Sequence, residues 1–404
     1  MATEVIEVEG HIIDSLLLAK VLDTIIDAGA EYRMVDVEIG RTGVDPSRAR
    51  LEVTADDEEA LGRLLSDLKV HGANRLAQDD ASVAVAETDG VLPPHFSATT
   101  NLPTQVRLSG RWVDVENPEM DCALVVLPDG RVRTVPMHRV AAGNLVVVGD
   151  EGVRARPLDR PRGPNPFEFM TSEVSSEKPK DVLVARVADR IRAARAGGGR
   201  VLAVCGPAVV HTGAAPCLAA LVRDGWVDVL FAGNGFATHD IEAAVSGTSL
   251  GVPLSGDTPA AGGHSNHLRV INEVRRRGSI AAAVADGWLT GGVMYECVRR
   301  RVPFVLGGSV RDDGPLPDVI TDVVDAADAM RAELAGVTVA LMLASTLHAI
   351  ATGNLLAAGV ETYCVDINQA VVTKLADRGS HQALGIVTDV GLFLERLAGH
   401  LATP

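Results

Sequence analysis

Residues 337–366 read VTVALMLASTLHAIATGNLLAAGVETYCVD, and this stretch decides the fold of the C-terminal half. It opens on a continuous apolar run, 337–343, and closes on a second one, 361–366. Continuous apolar runs are typical of parallel strands that are buried on both faces. Four more such runs lie in the same half of the chain: VLAVCG (201–206), VDVLFAG (227–233), VPFVLGG (302–308) and ALGIVTD (383–389). Because helical stretches separate these runs, we expect a doubly wound, mostly parallel α/β domain over residues 182–404.

The first 87 residues have a different pattern. Two apolar stripes at helical spacing predict one helix behind Asp14 and one behind Asp56: Leu18, Val21, Leu22 and Ile25, then Leu61, Leu64, Leu65 and Leu68. Alternating apolar residues predict half-buried strands at two places: Val35, Val37 and Ile39, then Leu51 and Val53. The order βαββαβ predicts a ferredoxin-like α+β domain over residues 1–87, which serves either as an amino-acid-binding module or as an interface without a ligand.

The middle of the chain divides into two further segments. Residues 88–156 contain short β-type runs separated by turn pairs, and they predict a small β domain with strands at Val106–Leu108, Ala123–Leu127, Arg131–Val135 and Leu145–Val148. Residues 157–181 contain five prolines and predict a stiff connector.

The composition of the chain restricts its partners and its compartment. The formal net charge is −16, from 37 basic and 53 acidic residues, so we expect neither nucleic acid nor an anionic membrane as a partner. Five widely spaced cysteines without a Cys-x-x-Cys pair disfavour a disulfide framework and indicate a reducing cytoplasm. We expect no signal peptide, because no basic segment precedes an apolar one at the N-terminus. Residues 337–360 are apolar enough to raise the question of a membrane span, but their Ser, Thr, His and Asn residues favour a buried strand and helix.

Small and polar residues follow the predicted strands of the C-terminal half. Glycines come directly after the first two strands, and Asp366 ends the fifth. Ligands bind beyond the carboxyl ends of such strands, where backbone N–H groups suit phosphates and a carboxylate suits the two hydroxyls of a ribose. Gly233, Gly235 and Thr238 occupy the spacing of a G-x-G-x-x-G motif that lacks its third glycine, and there is no Walker A motif. The combination of several strand ends predicts a dinucleotide or a similar cofactor.

A second polar cluster is GGHSNH, residues 262–267, with Arg269 close behind it. His264 and His267 have no carboxylate at a metal-ligand spacing, so we expect no metal site. As a substrate loop, the cluster offers imidazoles for proton transfer and a guanidinium group for a carboxylate. His239 and Asp240 follow a strand end, but adjacent residues of a helix do not face each other.

Longer blocks of the sequence resemble one known family. They are VEGHIIDS (8–15), SATTNLPTQVRLSGRW (97–112), GPAVVHTG (206–213), AGNGFATHDIEAAVSGTSLGV (232–252), GGHSNHLRVIN (262–272), VMYECVRRRVPFVLGGSVRDDGPLPD (293–318), CVDINQAVVTKLADRGS (364–380) and VTDVGLFL (387–394). The chain is similar to ornithine cyclodeaminases of the family labelled as a conserved region of lysine–oxoglutarate reductase/saccharopine dehydrogenase (LOR/SDH). That family includes a stand-alone archaeal type and the C-terminal part of cyanobacterial bifunctional arginine dihydrolase/ornithine cyclodeaminases.

The resemblance implies a C-terminal NAD-binding domain similar to that of deoxyhypusine synthase. It implies NAD contacts at Asn234, Gly235, Asp313, Ser345, Thr346, Leu347, His348, Asp366, Asp389 and Val390. The candidate catalytic residues are Asp240, His264 and His267, and the candidate substrate ligands are Asn266 and Arg269. The sequence departs from the family at residues 211–215, HTGAA, where other members carry more glycines.

The implied reaction converts L-ornithine into L-proline and ammonia, with a hydride taken from Cα by NAD and then returned. A homodimer or homotetramer is expected. Two other functions stay open: an NAD-linked dehydrogenase of the saccharopine or lysine type, and a non-catalytic NAD-binding protein that senses an amino acid. The sequence does not separate ornithine from lysine, because one methylene changes discrimination by only about 1–3 kcal/mol. Asp366 at the ribose position disfavours NADP.

Overall fold

The structure is a computed structural model that describes residues 1–13, 17–41, 45–69, 71–76, 79–156, 174–175, 180–249, 252–253, 266–310, 312, 314–377 and 383–402. Contacts between residues group the chain into two units, Met1–Phe169 with Asn354–Gly359, and Met170–Gly353 with Val360–Pro404. The domain boundaries placed at residues 87, 156 and 181 stay predictions. Asp14 and most of the predicted connector lie outside the described residues.

The first unit begins with a four-stranded antiparallel sheet and two helices. In chain order these elements are β1 (Ala2–Gly10), α1 (Leu17–Asp27), β2 (Glu31–Glu38), β3 (Ser47–Ala55), α2 (Glu58–Lys69) and β4 (Asn74–Arg75). The strand order β2-β3-β1-β4 is that of a ferredoxin-like fold, so the predicted βαββαβ pattern is confirmed. The predicted stripe of α2 is buried as expected: Leu61, Leu64, Leu65 and Leu68.

Two local details of this segment differ from the prediction. The side chain that caps α2 belongs to Asp57 and not to Asp56, since Asp57 Oδ1 accepts a hydrogen bond of 2.7 Å from the Ala60 N–H. The strand predicted at Val35 and Val37 is present as β2. The prediction that it is half-buried was wrong, because these two side chains are 48% and 38% exposed. β2 lies at the edge of the sheet, and its register shifts between Met34 and Asp36, which breaks the alternation.

The β strands predicted within residues 88–156 belong to a seven-stranded sheet, which also contains Ser82–Val85. Its strands are β5 (Ser82–Val85), β6 (Thr104–Leu108), β7 (Arg111–Glu116), β8 (Ala123–Val126), β9 (Val132–Val135), β10 (Leu145–Val148) and β11 (Val153–Ala155). The order is β11-β6-β7-β9-β8-β10-β5, with every pair antiparallel except β7 with β9. A short 3-10 helix, Met137–Arg139, connects β9 to the strand that follows it.

The second half of the chain alternates strands with helices. Its strands are β12 (Val174–Ser175), β13 (Arg200–Cys205), β14 (Val229–Gly233), β15 (Thr248–Ser249), β16 (Val252–Pro253), β17 (Phe304–Gly307), β18 (Val319–Ile320), β19 (Val337–Leu343), β20 (Glu361–Asp366) and β21 (Ala383–Val387). Its helices are α3 (Lys180–Ala196), α4 (Ala208–His211), α5 (Ala215–Arg223), α6 (Asn234–Ser246), α7 (Asn266–Arg277), α8 (Ile280–Ala285), α9 (Val293–Arg300), α10 (Val323–Glu333), α11 (Leu347–Leu355), α12 (Gln369–Asp377) and α13 (Val390–Ala402).

Eight of these strands form one parallel sheet, in the order β12-β21-β20-β19-β13-β14-β17-β18. The chain runs outward from β13 to β14 and β17, and then outward from β19 to β20 and β21. The doubly wound fold predicted from the six apolar runs is therefore confirmed, with its switch point between β13 and β19. No helix in the described part of the chain is long and apolar enough to cross a membrane.

Candidate active site

The switch point brings two backbone segments very close together. Gly206 follows β13, and a Cβ placed on it would lie 1.8 Å from the carbonyl oxygen of Ala344, the residue that follows β19. Ala344 itself has φ of 47°, a left-handed conformation that is uncommon for a residue with a side chain. Strained backbone of this kind clusters at ligand-binding sites, so the carboxyl ends of β13 and β19 are a candidate ligand-binding region.

Helix α6 begins at this edge, directly after β14. Asn234, its first residue, is buried, and its Oδ1 accepts hydrogen bonds from the Leu316 N–H at 3.0 Å and from the Thr238 hydroxyl at 3.3 Å. These contacts fix the orientation of the Asn234 amide group, and its nitrogen can then act as a hydrogen-bond donor. Gly235 lies in the first turn, where a Cβ would come within 3.4 Å of the Pro207 ring. The helix N-terminus therefore presents backbone N–H groups and one fixed side-chain donor.

Helix α11 begins at the same edge, after β19. Ser345 is buried, whereas Thr346 is exposed and the Leu347 side chain is 80% exposed. The imidazole of His348 lies over the ends of β14 and β17, within 3.0 Å of a Cβ placed on Gly233 and 3.1 Å of one on Gly307. Burial lowers the pKa of His348 against the opposing charge of Asp312, so this ring is neutral near pH 7.

Two aspartates end or follow the last strands. The Asp366 side chain is half-buried at the end of β20, and its Oδ1 accepts a hydrogen bond of 2.8 Å from the Asn368 N–H. Asp389 Oδ1 accepts a hydrogen bond of 2.9 Å from the Leu392 N–H and caps α13, in which Val390 is buried. In each of these two carboxylates, the turn contact is made by Oδ1, so Oδ2 is a separate acceptor. Asp313 lies outside the described residues.

Asp240 is buried, and both of its carboxylate oxygens accept hydrogen bonds from the backbone of another helix. Its Oδ1 accepts a hydrogen bond of 2.9 Å from the Val293 N–H, and its Oδ2 accepts one of 2.8 Å from the Met294 N–H. These two donors form the start of α9. Burial raises the pKa of Asp240 to about 6, although the two hydrogen bonds oppose this shift. The catalytic role of Asp240 stays a prediction, and this geometry disfavours it, because both oxygens hold a helix terminus.

Three histidines from three helices lie next to one another. The rings of His211 on α4 and His239 on α6 have centroids 5.0 Å apart, and those of His239 and His267 on α7 are 6.2 Å apart. The His211 Nδ1 lies 2.7 Å from the Ser249 hydroxyl. Burial lowers the pKa of His211, and the neighbouring His239 lowers it further. Among the described residues, no group of three His, Cys, Asp or Glu side chains is arranged to hold a metal ion.

A buried carboxylate joins this histidine cluster. Glu242, one turn after His239 on α6, is 0% exposed, and its Oε2 lies 3.0 Å from the His239 Nδ1. Its Oε1 accepts a hydrogen bond of 2.9 Å from the Thr248 hydroxyl, which in turn accepts one of 3.0 Å from the Asn266 amide. A buried carboxylate in contact with an imidazole is an arrangement suited to proton transfer.

The structure thus brings together only part of the predicted substrate loop. His267 and Asn266 join the cluster on α6, whereas Arg269 is exposed one turn after Asn266 on α7. His264 lies outside the described residues. The sequence analysis missed Glu242, although its position three residues after His239 on a predicted helix was a usable signal.

Family models cover almost the whole chain. Residues 3–102 match the LOR/SDH bifunctional enzyme conserved region. Residues 103–184 match the first C-terminal region of the ArgZ-like arginine dihydrolases, and residues 185–397 match the Rossmann-fold C-terminal region of the same proteins.

Curated relatives and solved structures agree with these matches. The ornithine cyclodeaminase of Methanopyrus kandleri is 51% identical over 98% of this chain and 97% of its own length. The apo structure of the cyanobacterial arginine dihydrolase ArgZ aligns with a TM-score of 0.87 at 37% identity, over 99% of this chain and 58% of that one. The ternary complex of AgrE, the bifunctional protein of a Nostoc species, with ornithine and NAD⁺ aligns at 41% identity over 99% of this chain and 57% of that one, with a TM-score of 0.54.

The relationship extends along the full chain and does not depend on one motif. A deoxyhypusine synthase from Entamoeba histolytica aligns with a TM-score of only 0.35, which carries no argument about the fold. At 51% identity over nearly its whole length, this chain belongs to the ornithine cyclodeaminase family that combines the LOR/SDH conserved region with the ArgZ-like C-terminal regions.

Proposed function

We propose that this chain is an ornithine cyclodeaminase, an ammonia-lyase that converts L-ornithine into L-proline and ammonia. The observation that carries the proposal is the 51% identity to the Methanopyrus enzyme over 98% of this chain. The doubly wound sheet supports it independently, because its switch point is the place where such folds bind dinucleotides.

NAD is the cofactor that the residues at the switch point fit. Two helices, α6 and α11, direct their N-termini to this edge, and Gly206 leaves room for close backbone packing there. Asp366 at the end of β20 suits the hydroxyls of a ribose. When bound, NAD⁺ supplies a reversible acceptor for a hydride. We assign its binding to Asn234, Gly235, Asp313, Ser345, Thr346, Leu347, His348, Asp366, Asp389 and Val390.

The substrate requires an anchor for its carboxylate and groups that accept protons from its ammonium groups. We assign the binding of the substrate carboxylate to Arg269, because a guanidinium group can bind a carboxylate with two hydrogen bonds. Arg269 is exposed on α7. Asn266 fixes the start of that helix through Thr248. We assign proton transfer to the loop that contains His264 and to His267. Each of the two ammonium nitrogens must lose a proton before its lone pair can bond to carbon, so the reaction requires more than one proton acceptor.

We also propose that the protein assembles as a homodimer or homotetramer through the edge of its N-terminal sheet. Tyr32, Met34 and Val37 of β2 pair with core-facing residues of β3, yet each is more than a third exposed. An edge strand with exposed apolar side chains and unpaired backbone groups can pair with another strand. A second copy of β2 in antiparallel orientation would cover both edges equally, as a two-fold interface requires.

A cytoplasmic location fits the state of the cysteines. All five are free thiols, and four of them are buried. Free thiols are the rule in the reducing cytoplasm. The acidic net charge of −16 supports a small-molecule substrate over a nucleic-acid partner.

The test of the function is a turnover assay with purified protein, L-ornithine and a catalytic amount of NAD⁺, in which proline and ammonia are measured together. We expect equal amounts of the two products and no accumulation of NADH. Accumulation of NADH with lysine or saccharopine would identify a dehydrogenase instead, and NAD binding without turnover of any of these amino acids would contradict an enzymatic function.

A further inference from the structure

The pair formed by His239 and Glu242 has the geometry of an oriented base. The two residues lie one turn apart on α6, with the His239 Nδ1 3.0 Å from the Glu242 Oε2. The Glu242 side chain is fully buried, and that of His239 is 12% exposed. A buried glutamate costs free energy unless its oxygens accept hydrogen bonds, so each contact of Glu242 informs its charge state.

The neighbours of Glu242 fix the direction of its hydrogen bonds. The Asn266 amide nitrogen can only donate, so the Thr248 oxygen accepts from it. The Thr248 hydroxyl proton is then directed at the Glu242 Oε1, at 2.9 Å. In the ionised form of Glu242 both oxygens accept, and Oε2 then accepts a hydrogen bond from the Nδ1–H of His239. The His239 Nε2 is therefore the basic nitrogen.

The surroundings of His239 agree with a role in proton transfer. Its ring lies between His211, at 5.0 Å, and His267, at 6.2 Å, and Glu242 is the acidic group that contacts it. Its helix, α6, begins at the strand edge assigned to the cofactor. The pair and the cofactor residues thus share one short element, which limits how far they can move apart.

We propose that His239 accepts the proton of the substrate α-ammonium group and that Glu242 is its positioning residue. The proton passes from the ammonium nitrogen to Nε2, which leaves a neutral amine with a free lone pair and an imidazolium ion. The Glu242 carboxylate holds the ring in the required tautomer and offsets the new positive charge. This inference rests on the proposed function, since it names the base for the same reaction.

The first test is the variant Glu242→Gln, which keeps the volume of the side chain. Its amide group donates to Nδ1 and thereby moves the ring proton to Nε2, so the base is lost. We expect kcat to fall about 10²–10⁴-fold, as for other wrong-tautomer variants, while KM and the Kd for NAD stay within about threefold. Glu296→Gln, at a buried glutamate on α9, is the matched control and keeps full activity. A rise in KM as large as the fall in kcat would overturn the proposal. A kcat above a third of the wild-type value would also overturn it.

Two further measurements separate positioning from a general structural role. The double variant Glu242→Gln/His239→Ala should be no slower than His239→Ala alone, because both changes remove the same base; additive losses would contradict the pairing. The ¹⁵N spectrum of the histidine rings reports the tautomer without any turnover. An Nδ1–H signal assigned to His239, which moves to Nε2–H in Glu242→Gln, supports the pair even if ornithine is not the substrate. An Nε2–H tautomer in the wild type would refute it.

Discussion

Gly206 occupies a position with room for a hydrogen and for nothing larger. A Cβ there would meet the Ala344 carbonyl oxygen at 1.8 Å, and backbone atoms cannot move aside as a side chain can. We therefore expect Gly206→Ala to lower the free energy of unfolding by at least about 1–3 kcal/mol and to weaken NAD binding. Urea unfolding and an NAD titration measure the two effects.

The matched control for this variant is Gly399→Ala. Gly399 lies in α13, and nothing stands within 4 Å of a Cβ placed on it. The same substitution there should raise the free energy of unfolding by about 0.5–1 kcal/mol, since alanine favours a helix over glycine. Equal effects of the two variants would contradict the close approach at the switch point.

Asp366 is the residue that should distinguish NAD from NADP. Removal of its carboxylate by Asp366→Ala should raise the Kd for NAD about 10–100-fold, which corresponds to the loss of a charged hydrogen bond. The Kd for NADP should change much less, because its 2′-phosphate cannot donate a hydrogen bond to the Asp366 carboxylate in the way that a 2′-hydroxyl can. Calorimetric titration with both cofactors measures this. Asp189→Ala, an exposed aspartate on α3, is the control, and unchanged NAD binding in Asp366→Ala would place the ribose elsewhere.

The residues at the site differ in how far the sequence could predict them. Strand-end residues such as Asn234 and Asp366 could be found, because continuous apolar runs locate strand ends to within about two residues. The network of Glu242 with Thr248 and Asn266 could not, because the three lie 6 and 18 residues apart along the chain and meet only through the packing of α6, β15 and α7.

Helix α9 depends on a carboxylate from another helix. Asp240 accepts from the first two N–H groups of α9, and burial raises its pKa from 3.8 to about 6. Because the folded-state pKa lies above the unfolded value, the folded state binds this proton more tightly. The contribution of Asp240 to the free energy of unfolding is therefore full below about pH 4, and it is lost as the pH rises through about 6.

The variant Asp240→Asn removes this titration. Its single carbonyl oxygen leaves one N–H of α9 without an acceptor, at a cost of about 1–3 kcal/mol at every pH. We expect the stability advantage of the wild type over the variant to shrink by about 2–3 kcal/mol between about pH 4 and pH 7. Urea unfolding at several pH values measures the difference.

The activity of the same variant bears on the role of Asp240. If this side chain acts through α9, folded Asp240→Asn should keep kcat within about fivefold of wild type. A loss of three orders of magnitude with unchanged stability would restore the catalytic role for Asp240 that its contacts disfavour. Val245→Ala, at an exposed position of the same helix, controls for changes within α6.

At the level of elements, local patterns predicted most of the fold. All six continuous runs became strands of the parallel sheet, and β3 alternates as its sequence indicates. The burial of β2 could not be predicted, because an edge strand and a central strand can have the same alternating sequence. Edge position and the register shift at Met34 depend on the pairing with β3, which is a property of the whole sheet.

At the level of the whole molecule, the exposed apolar edge of β2 predicts self-association. A lysine at Val37 places a charge where two copies of the edge would meet, so Val37→Lys should shift the protein to a smaller assembly. Val85→Lys on β5, the edge strand of the seven-stranded sheet, is the matched control. Analytical ultracentrifugation measures the masses; an unchanged assembly in Val37→Lys, or dissociation in both variants, would exclude this interface.

The measurement that tests the central claim most directly follows the hydrogen on Cα. L-ornithine that carries deuterium at Cα is incubated with the protein and a catalytic amount of NAD⁺, and the proline formed is analysed by mass spectrometry. If one bound NAD takes this hydrogen and returns it, the deuterium stays at Cα of proline and no NADH accumulates. Proline without the deuterium, or deuterium that collects in released NADH, would contradict a cyclodeaminase that works by a reversible hydride transfer.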